Sequence, residues 1–156
     1  GVQAVTLDVG DWDMHADLGP TGNPRAGWMW DKLRELGSAL AAFATDLGSR
    51  MDSTTVLTMS EFGRRVYEND SNGVDHGWGN ACFVLGGGVN GGTVYGDWPG
   101  LGFAQMNDGD LAVTTDYRAV LADILRNRTG ASVDQLSTVL PGYTGATLLG
   151  LTKPKA

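Results

Sequence analysis

Residues 54–92 read TTVLTMSEFGRRVYENDSNGVDHGWGNACFVLGGGVNGG, and this stretch determines the predicted fold. Within it, residues 54–59 and 81–85 are short apolar runs with the length and composition of strands buried on both faces. The first run leads into Glu61, the loop between the two runs carries an Asp-His pair, and the second run ends in glycines. The stretch therefore predicts two buried strands with acidic and imidazole groups near their ends.

The N-terminal tract has the same arrangement. Residues 2–8 are another β-branched apolar run, and the chain then passes directly into Asp11, Asp13 and His15. Both histidines of the chain, His15 and His76, thus stand close to aspartates at the ends of predicted strands. Carboxylate oxygens and neutral imidazole nitrogens form a mixed ligand set that suits Zn2+ or another divalent transition metal. A metal site is therefore expected.

The predicted metal ligands are Asp13, His15, Glu61, Asp75 and His76. Asp11 ranks below Asp13 as a ligand. Arg64 and Arg65, beside Glu61, either bind an anionic substrate through their forked donors or are solvated loop charges. The alternative for the whole set is structural hydrogen bonding, because loop carboxylates commonly cap helices or close Asx-turns.

The remaining pattern predicts helices between and after the strands. From Met29 to Leu47, apolar residues recur at alternating steps of four and three, and Gly48 follows where a C-terminal cap is expected. A second helix is predicted from near Thr115 to Gly130, and residues 137–156 are predicted to be irregular. Strands alternating with helices predict an α/β fold, a three-layer sandwich around a mainly parallel sheet.

Composition limits the classes of function. At 156 residues and 42% hydrophobic content, residues 1–156 are enough for one domain with a core. A net charge of −7 disfavours nonspecific binding to nucleic acid or to an anionic membrane surface. No apolar stretch has the length of a membrane span. The lone Cys82 has the context of a small buried hydrophobe. Because the sequence opens in a predicted strand, we expect a piece of a longer protein.

The motifs WDMHAD, MSEFGRR, VDHGWGN and FVLGGGVNGG resemble, in this order, those of the domain-of-unknown-function 1501 family, over most of the chain. That family looks like a relative of the alkaline phosphatase and sulfatase superfamily. The resemblance implies that the chain is the C-terminal portion of a larger alkaline-phosphatase-like domain. By position, it assigns the five metal ligands named above. The superfamily's usual Asp-His after the central strand reads here as Glu61-Phe62, so one imidazole ligand is missing.

The resemblance implies a metal-dependent, most simply zinc-dependent, hydrolase of phosphate or sulfate esters, exported to the periplasm or outside the cell. Its nucleophile would precede Val2, on an N-terminal segment or a companion chain that these 156 residues do not include. Thr58 and Ser60 are the local hydroxyls near Glu61, and strand-end packing explains them without catalysis. The alternative is a non-catalytic exported protein that kept the fold for binding or assembly, with one structural metal. Association of the chain into a homo-oligomer is a further alternative.

Overall fold

The computed structural model describes residues 3–20, 22–144 and 148–155, which form three α-helices and two small sheets. The helices are α1 (Trp28–Leu47), α2 (Tyr117–Ile124) and α3 (Val133–Val139). The strands are β1 (Thr55–Leu57), β2 (Gly63–Arg64), β3 (His76–Gly77) and β4 (Val84–Gly86). Short 3-10 segments, Gly48–Ser53 and Phe103–Gln105, and a π-helical turn, Leu125–Thr129, complete the elements. None of the described helices has the length and apolarity needed to span a bilayer.

The prediction of a mainly parallel, three-layer sandwich is wrong. Strand β1 pairs with β4 in the antiparallel sense, with Thr55 opposite Gly86, and β2 pairs with β3 in the same sense. Residues 3–8 of the predicted first strand belong to neither sheet, and Val2 lies outside the described residues. Each sheet is a two-stranded ribbon. The expected burial is wrong as well, because residues 54–59 and 81–85 are half-buried or exposed and Cys82 is exposed.

The direction of the strands follows from the connection between them. Parallel neighbours need a crossover of a dozen or more residues, usually through a helix. The chain between β1 and β4 contains only β2, β3 and loops among its elements. Without a helix to carry the chain back across a sheet face, β4 returns antiparallel to β1. An apolar run alone does not indicate strand direction, and this is why the sequence suggested a parallel sheet.

Helix α1 agrees with its prediction to within one residue. The apolar stripe with a period near 3.6 supports the helix, and Gly48, with φ of 52°, ends it in a conformation that favours glycine. The packing of the helix differs from expectation, because none of its described side chains is buried. Leu36 and Leu40 are half-buried, whereas Leu33 and Phe43 are exposed. The stripe is therefore only partly covered.

The best-packed core lies between α2 and α3. Ala122 from α2 and Leu136 from α3 are fully buried against each other, together with Leu140. Helix α2 begins near the predicted position. Helix α3 was not predicted, although Ser132 and Gln135 form a capping box, in which Ser132 Oγ accepts from the Gln135 N–H at 3.2 Å and Gln135 Oε1 accepts from the Ser132 N–H at 2.8 Å.

The C-terminal tail is held on this core by a buried carboxylate. Asp123 in α2 accepts hydrogen bonds from the N–H groups of Gly150 at 2.7 Å and Thr152 at 2.9 Å, and from the Thr152 hydroxyl at 2.7 Å. Thr152 also forms an antiparallel bridge with Val89. The prediction of an irregular tail is wrong for residues 137–139, which belong to α3, whereas residues 140–144 and 148–155 contain no helix; residues 145–147 and 156 lie outside the described residues.

Candidate metal centre

Three side chains from two distant segments converge at the molecular surface. Oδ1 of Asp13 lies 3.0 Å from Nε2 of His15 and 2.7 Å from Nε2 of His76, and the two Nε2 atoms are 3.1 Å apart. Both histidine side chains are 47% exposed, and that of Asp13 is 60% exposed. One carboxylate and two imidazoles thus share a small volume that is open to solvent. We call these three residues the metal cluster.

The loop that carries Asp13 and His15 is folded around Met14. The Met14 N–H donates to the carbonyl of Trp12 at 3.0 Å, and the His15 N–H donates to the carbonyl of Asp13 at 3.1 Å. The Met14 side chain is fully buried, while its two neighbours are exposed. The Val74 N–H then donates to the Met14 carbonyl at 3.1 Å. Burial of Met14 therefore anchors the first ligand loop against the segment that leads into His76.

His76 is positioned by β-pairing and by an aromatic ring. It lies in β3, opposite Arg64 of β2. The ring of Phe62, just before β2, stacks on the His76 imidazole with centroids 3.7 Å apart and planes 22° apart. The Arg64 guanidinium carbon lies 5.0 Å from the centroid of the same Phe62 ring, within cation–π range. Stacking on the Phe62 ring therefore limits the rotation of the His76 side chain.

Arg64 joins the two ligand segments. Its guanidinium donates to the carbonyl of Trp12 at 2.6 Å, to the carbonyl of Val74 at 2.7 Å and to Oδ1 of Asp13 at 3.0 Å. The hydrogen bond from His76, followed by that from Arg64, holds the pKa of the Asp13 carboxyl below its usual value. Asp13 is therefore an ionised carboxylate at neutral pH.

Asp75 lies behind His15, on the side away from the cluster. Its Oδ1 is 2.9 Å from Nδ1 of His15 and accepts a hydrogen bond from Nδ2 of Asn69 at 3.0 Å. The contact with His15, and then that with Asn69, lowers the pKa of the Asp75 carboxyl. An ionised Asp75 accepts a proton-bearing Nδ1, so the hydrogen-bond network assigns the His15 tautomer whose Nε2 lone pair faces the cluster. This is the arrangement by which proteins orient histidine ligands of metals.

A tight turn brings Asn69 to this position. Asn69 Oδ1 accepts from the N–H groups of Ser71 and Gly73, each at 3.0 Å, which is an Asx-type turn. Its Nδ2 also donates to the carbonyl of His15 at 3.0 Å. A Cβ atom at position 73 would lie only 2.1 Å from the carbonyl carbon of His15, so the two loops approach as closely as they do because residue 73 is glycine.

A family model described as "Protein of unknown function (DUF1501)" matches residues 1–129. The chain belongs to the DUF1501 family. The resemblance noted in the sequence is confirmed at this level. No curated protein and no solved structure gives a match. The matched residues of this DUF1501 protein include the whole metal cluster together with Arg64, Asn69 and Asp75.

Three of the five predicted ligands, Asp13, His15 and His76, have their ligand atoms close together in this DUF1501 protein. A fourth, Asp75, contacts Nδ1 of His15, the ring nitrogen on the side away from the cluster. The convergence does not come from the shared rim of a parallel sheet, as expected, but from the antiparallel β2–β3 ribbon and the loop around Met14. Glu61 is exposed and lies outside the group of ligand atoms that fall within 4.8 Å of one another. Phe62 stands where the resemblance expects an imidazole, and its ring supports His76 instead.

The two arginines predicted as anion ligands are engaged in contacts within the protein. Arg64 donates its hydrogen bonds to Trp12, Val74 and Asp13, as described above. Arg65 points toward the loop at residues 107–110, where its Nε lies 3.0 Å from the buried Oδ1 of Asp110 and its Nη2 donates to the Asp108 carbonyl at 3.1 Å. The Asp110 oxygen is within ion-pair distance but lacks good hydrogen-bond geometry. Asp11 lies 3.7 Å from Nζ of Lys32 and outside the cluster.

The hydroxyl groups near Glu61 form structural hydrogen bonds. Thr58 Oγ1 accepts from the N–H of Phe83 at 2.9 Å, which extends the pairing of β1 with β4. Ser60 Oγ donates to the carbonyl of Phe62 at 3.0 Å and accepts from the amide of Asn80. These contacts support the structural interpretation of both hydroxyls, since each one closes a local backbone arrangement.

The donor set of the DUF1501 protein fits a divalent transition metal. Ligands of a tetrahedral zinc ion, at about 2.0–2.1 Å from the metal, lie about 3.3–3.4 Å from one another. The three ligand atoms of the cluster are 2.7 to 3.1 Å apart, so small rotations of the exposed side chains would match this spacing. A set of two imidazoles and one carboxylate leaves a fourth position open, as catalytic zinc sites do.

Proposed function

We propose that the metal cluster binds one divalent metal ion, with zinc preferred, and that the protein is a hydrolase-like member of its family acting on phosphate or sulfate esters. The observation that carries the proposal is the convergence of Asp13, His15 and His76 with Asp75 placed to orient His15. Exposed acidic groups often cluster without a metal, but here two imidazole nitrogens lie 3.1 Å apart and the other ring nitrogen of His15 is held by a carboxylate, which supports a metal site.

The geometry supports a role for each residue. Asp13 supplies the negative charge, and the histidines supply the nitrogen donors that favour zinc over magnesium or calcium. Asp75 keeps the Nε2 of His15 available as a donor. Arg64 fixes the two ligand segments and, after His76, helps to lower the pKa of the Asp13 carboxyl. A bound zinc ion would polarise the ester oxygen and stabilise the charge that develops during hydrolysis.

The relation to the alkaline phosphatase and sulfatase superfamily is part of the same proposal. It is supported by the order of the Asp/His motifs along the sequence, and the cluster unites the first and last of them. Because the Thr58 and Ser60 hydroxyls are occupied, the proposed reaction takes its nucleophile from elsewhere: from solvent, or from an N-terminal segment or companion chain.

The test is hydrolysis of aryl phosphate and aryl sulfate by the full-length protein, including any N-terminal segment and companion chain, after loading with zinc. We expect turnover that disappears on chelation, returns with zinc and is absent in His76→Ala. Zinc binding without turnover of either ester class would contradict the hydrolase part of the proposal and leave the metal part standing. Absence of zinc binding would contradict both parts.

The second candidate is a non-catalytic exported protein that uses one structural metal for binding or assembly. The specific observation in its favour is Phe62, because an aromatic ring occupies the place of an imidazole that a second metal would need. Stoichiometric zinc that raises the melting temperature without any ester hydrolysis is the outcome that this candidate predicts. The exported location is proposed from the resemblance alone, and fractionation of the native host tests it.

A covering segment or companion chain, or self-association, is proposed from the exposed apolar side chains. Leu7, Phe103 and Val94 are 82%, 86% and 94% exposed, and the apolar stripe of α1 is only partly covered. Exposed apolar surface of this kind marks an interaction site or an aggregation hazard. We therefore expect these 156 residues, expressed alone, to aggregate or to bind a hydrophobic dye. A monodisperse monomer with one cooperative melting transition and no dye binding would contradict this.

A further inference from the structure

A second concentration of functional groups lies in a cleft of about 380 Å³ formed by the 3-10 segment after α1, the glycine turn after β4, the π-helical turn and the C-terminal segment. Its lining residues include three that carry a positive charge, Arg128, Lys153 and Lys155, one acidic residue, Asp52, and two serines, Ser49 and Ser53; the Ser53 hydroxyl donates to the carbonyl of Arg50 at 3.1 Å. We call it the basic cleft. Two of the chain's three lysines line it, although the whole protein carries a net charge of −7.

The positive charge of the basic cleft is not neutralised within the described part of the chain. Among the described residues, Lys32 on α1 is the lysine with carboxylates within 4.0 Å of its ammonium group, and Lys153 and Lys155 have none. Arg128 makes its contacts with uncharged oxygens: the Thr55 hydroxyl at 3.2 Å and the carbonyls of Lys153 at 3.3 Å and Asp52 at 3.4 Å. The cleft thus carries three positive charges and one negative charge. A guanidinium has five N–H donors, so Arg128 keeps donors available beyond these three contacts.

The backbone around the basic cleft is built to hold these groups. Gly88 has a φ of 75°, and a Cβ atom there would lie 2.3 Å from Nη1 of Arg128, so the guanidinium packs directly on a glycine backbone. The N–H of Lys153 donates to the carbonyl of Gly88 at 2.6 Å, and the N–H of Lys155 donates to the carbonyl of Asn127 at 2.7 Å. The two lysines are therefore carried on a segment that is fixed on both sides of Pro154.

We propose that the basic cleft binds the oxyanion group, phosphate or sulfate, of a small anionic ligand. Guanidinium and ammonium donors are the groups that bind such oxyanions in proteins. The volume falls within the range of small-molecule sites and leaves room for an organic group beside the oxyanion, so the proposed ligand is an ester. The proposal does not depend on the metal cluster, none of whose residues lines the cleft.

The test is a calorimetric titration of the whole chain with inorganic phosphate and with a hexose phosphate. The protein is first freed of metal with a chelator and dialysed, so that no ligand binds through a metal ion. Loss of both ammonium groups in Lys153→Gln/Lys155→Gln is expected to weaken binding of both ligands at least about tenfold, since each charge-assisted hydrogen bond contributes strongly. Both lysines are exposed, so the variant keeps its fold.

The matched control is Arg25→Gln/Arg34→Gln, which changes the net charge by the same amount. Arg25 precedes α1 and Arg34 lies in its first half, roughly 20 Å along the axis from its last residue, whereas the basic cleft begins after that end of the helix. We expect the control to bind both ligands within about twofold of the parent, because screening removes most interaction over such a distance. The proposal is overturned if neither ligand binds saturably, if the two double variants behave alike, or if inorganic phosphate binds at least tenfold more tightly than the ester.

Discussion

Replacing Asp75 with asparagine tests whether this residue orients His15 or binds the metal itself. In the structure, Asp75 Oδ1 contacts Nδ1 of His15 at 2.9 Å, and His15 presents its Nε2 to the metal cluster. Asparagine has nearly the same shape and keeps one carbonyl oxygen to accept from Nδ1. The variant loses the negative charge that makes Nε2 of His15 a stronger electron-pair donor to the metal. Zinc should still bind with one ion per chain, but more weakly.

The expected size of the loss follows from the contact. Removing a partner that orients a metal-bound histidine typically costs 10- to 100-fold in metal affinity. The Asp75 side chain is 51% exposed, so solvent screens its charge, and the loss should be close to the lower limit, about tenfold. A change of this size is well above the precision of a competition titration.

The assay is a zinc titration against a chromophoric chelator, followed for the parent, Asp75→Asn, His76→Ala and Asp70→Asn. Asp70 is the matched control, since it lies in the turn closed by Asn69, five residues before Asp75, carries the same charge and is exposed. It should leave the affinity within about twofold of the parent, whereas His76→Ala should abolish stoichiometric binding. Our reasoning is refuted if Asp75→Asn binds like the parent. It is equally refuted if the variant loses the ion entirely, because Asp75 would then be a ligand.

Three further changes test the fold and the approach of the two loops. Leu136→Ala should lower the free energy of unfolding by about 2–5 kcal/mol in a denaturant titration, because Leu136 is fully buried in the core. Gly73→Ala should weaken zinc binding more than Asp75→Asn does, since its Cβ would force the turn away from His15. Asp116 has a pKa lowered by its hydrogen bonds with Arg118, so its stabilising effect is complete above the unfolded value of about 4 and is lost as the pH falls further. Asp116→Asn should therefore flatten the acid side of the stability profile.

Each of these changes has a control or a contrary outcome. Val139→Ala, at an exposed position of α3, should cost less than about 1 kcal/mol, and a cost equal to that of Leu136→Ala would contradict the assigned core. Gly91→Ala has open space around its new Cβ and should leave zinc affinity unchanged. For Asp116→Asn, a profile parallel to that of the parent between about pH 5 and pH 2 would show that the contact with Arg118 does not stabilise the fold.

The sequence predicts the long helices better than the sheets. Helix α1 was predicted accurately because its stripe extends over five turns and ends at Gly48. The sheets were not predicted accurately, because an apolar run of three to six residues does not indicate which strand it pairs with or in which direction. That information lies in contacts between distant residues, such as Thr55 opposite Gly86. The capping box at Ser132 was a local signal for α3 that the sequence analysis did not use.

The candidate site was only partly accessible to sequence reasoning. The proximity of both histidines to aspartates indicated which segments meet, because such clustering is uncommon by chance. Adjacent Asp75 and His76 look alike as ligands in a sequence, and only the structure shows that Asp75 contacts His15 from behind. The contribution of Arg64 was missed as well, since its three bonds to the ligand segments join residues that are up to 52 positions apart.

The most direct test of the central claim is the zinc content of the purified protein, measured by elemental analysis after dialysis against excess zinc and removal of free ions. The account predicts one zinc ion per chain in the parent and far less than one in His76→Ala, since that variant loses one of only two nitrogen donors. A parent without zinc, or a His76→Ala variant with as much zinc as the parent, would contradict the claim that Asp13, His15 and His76 form a metal centre.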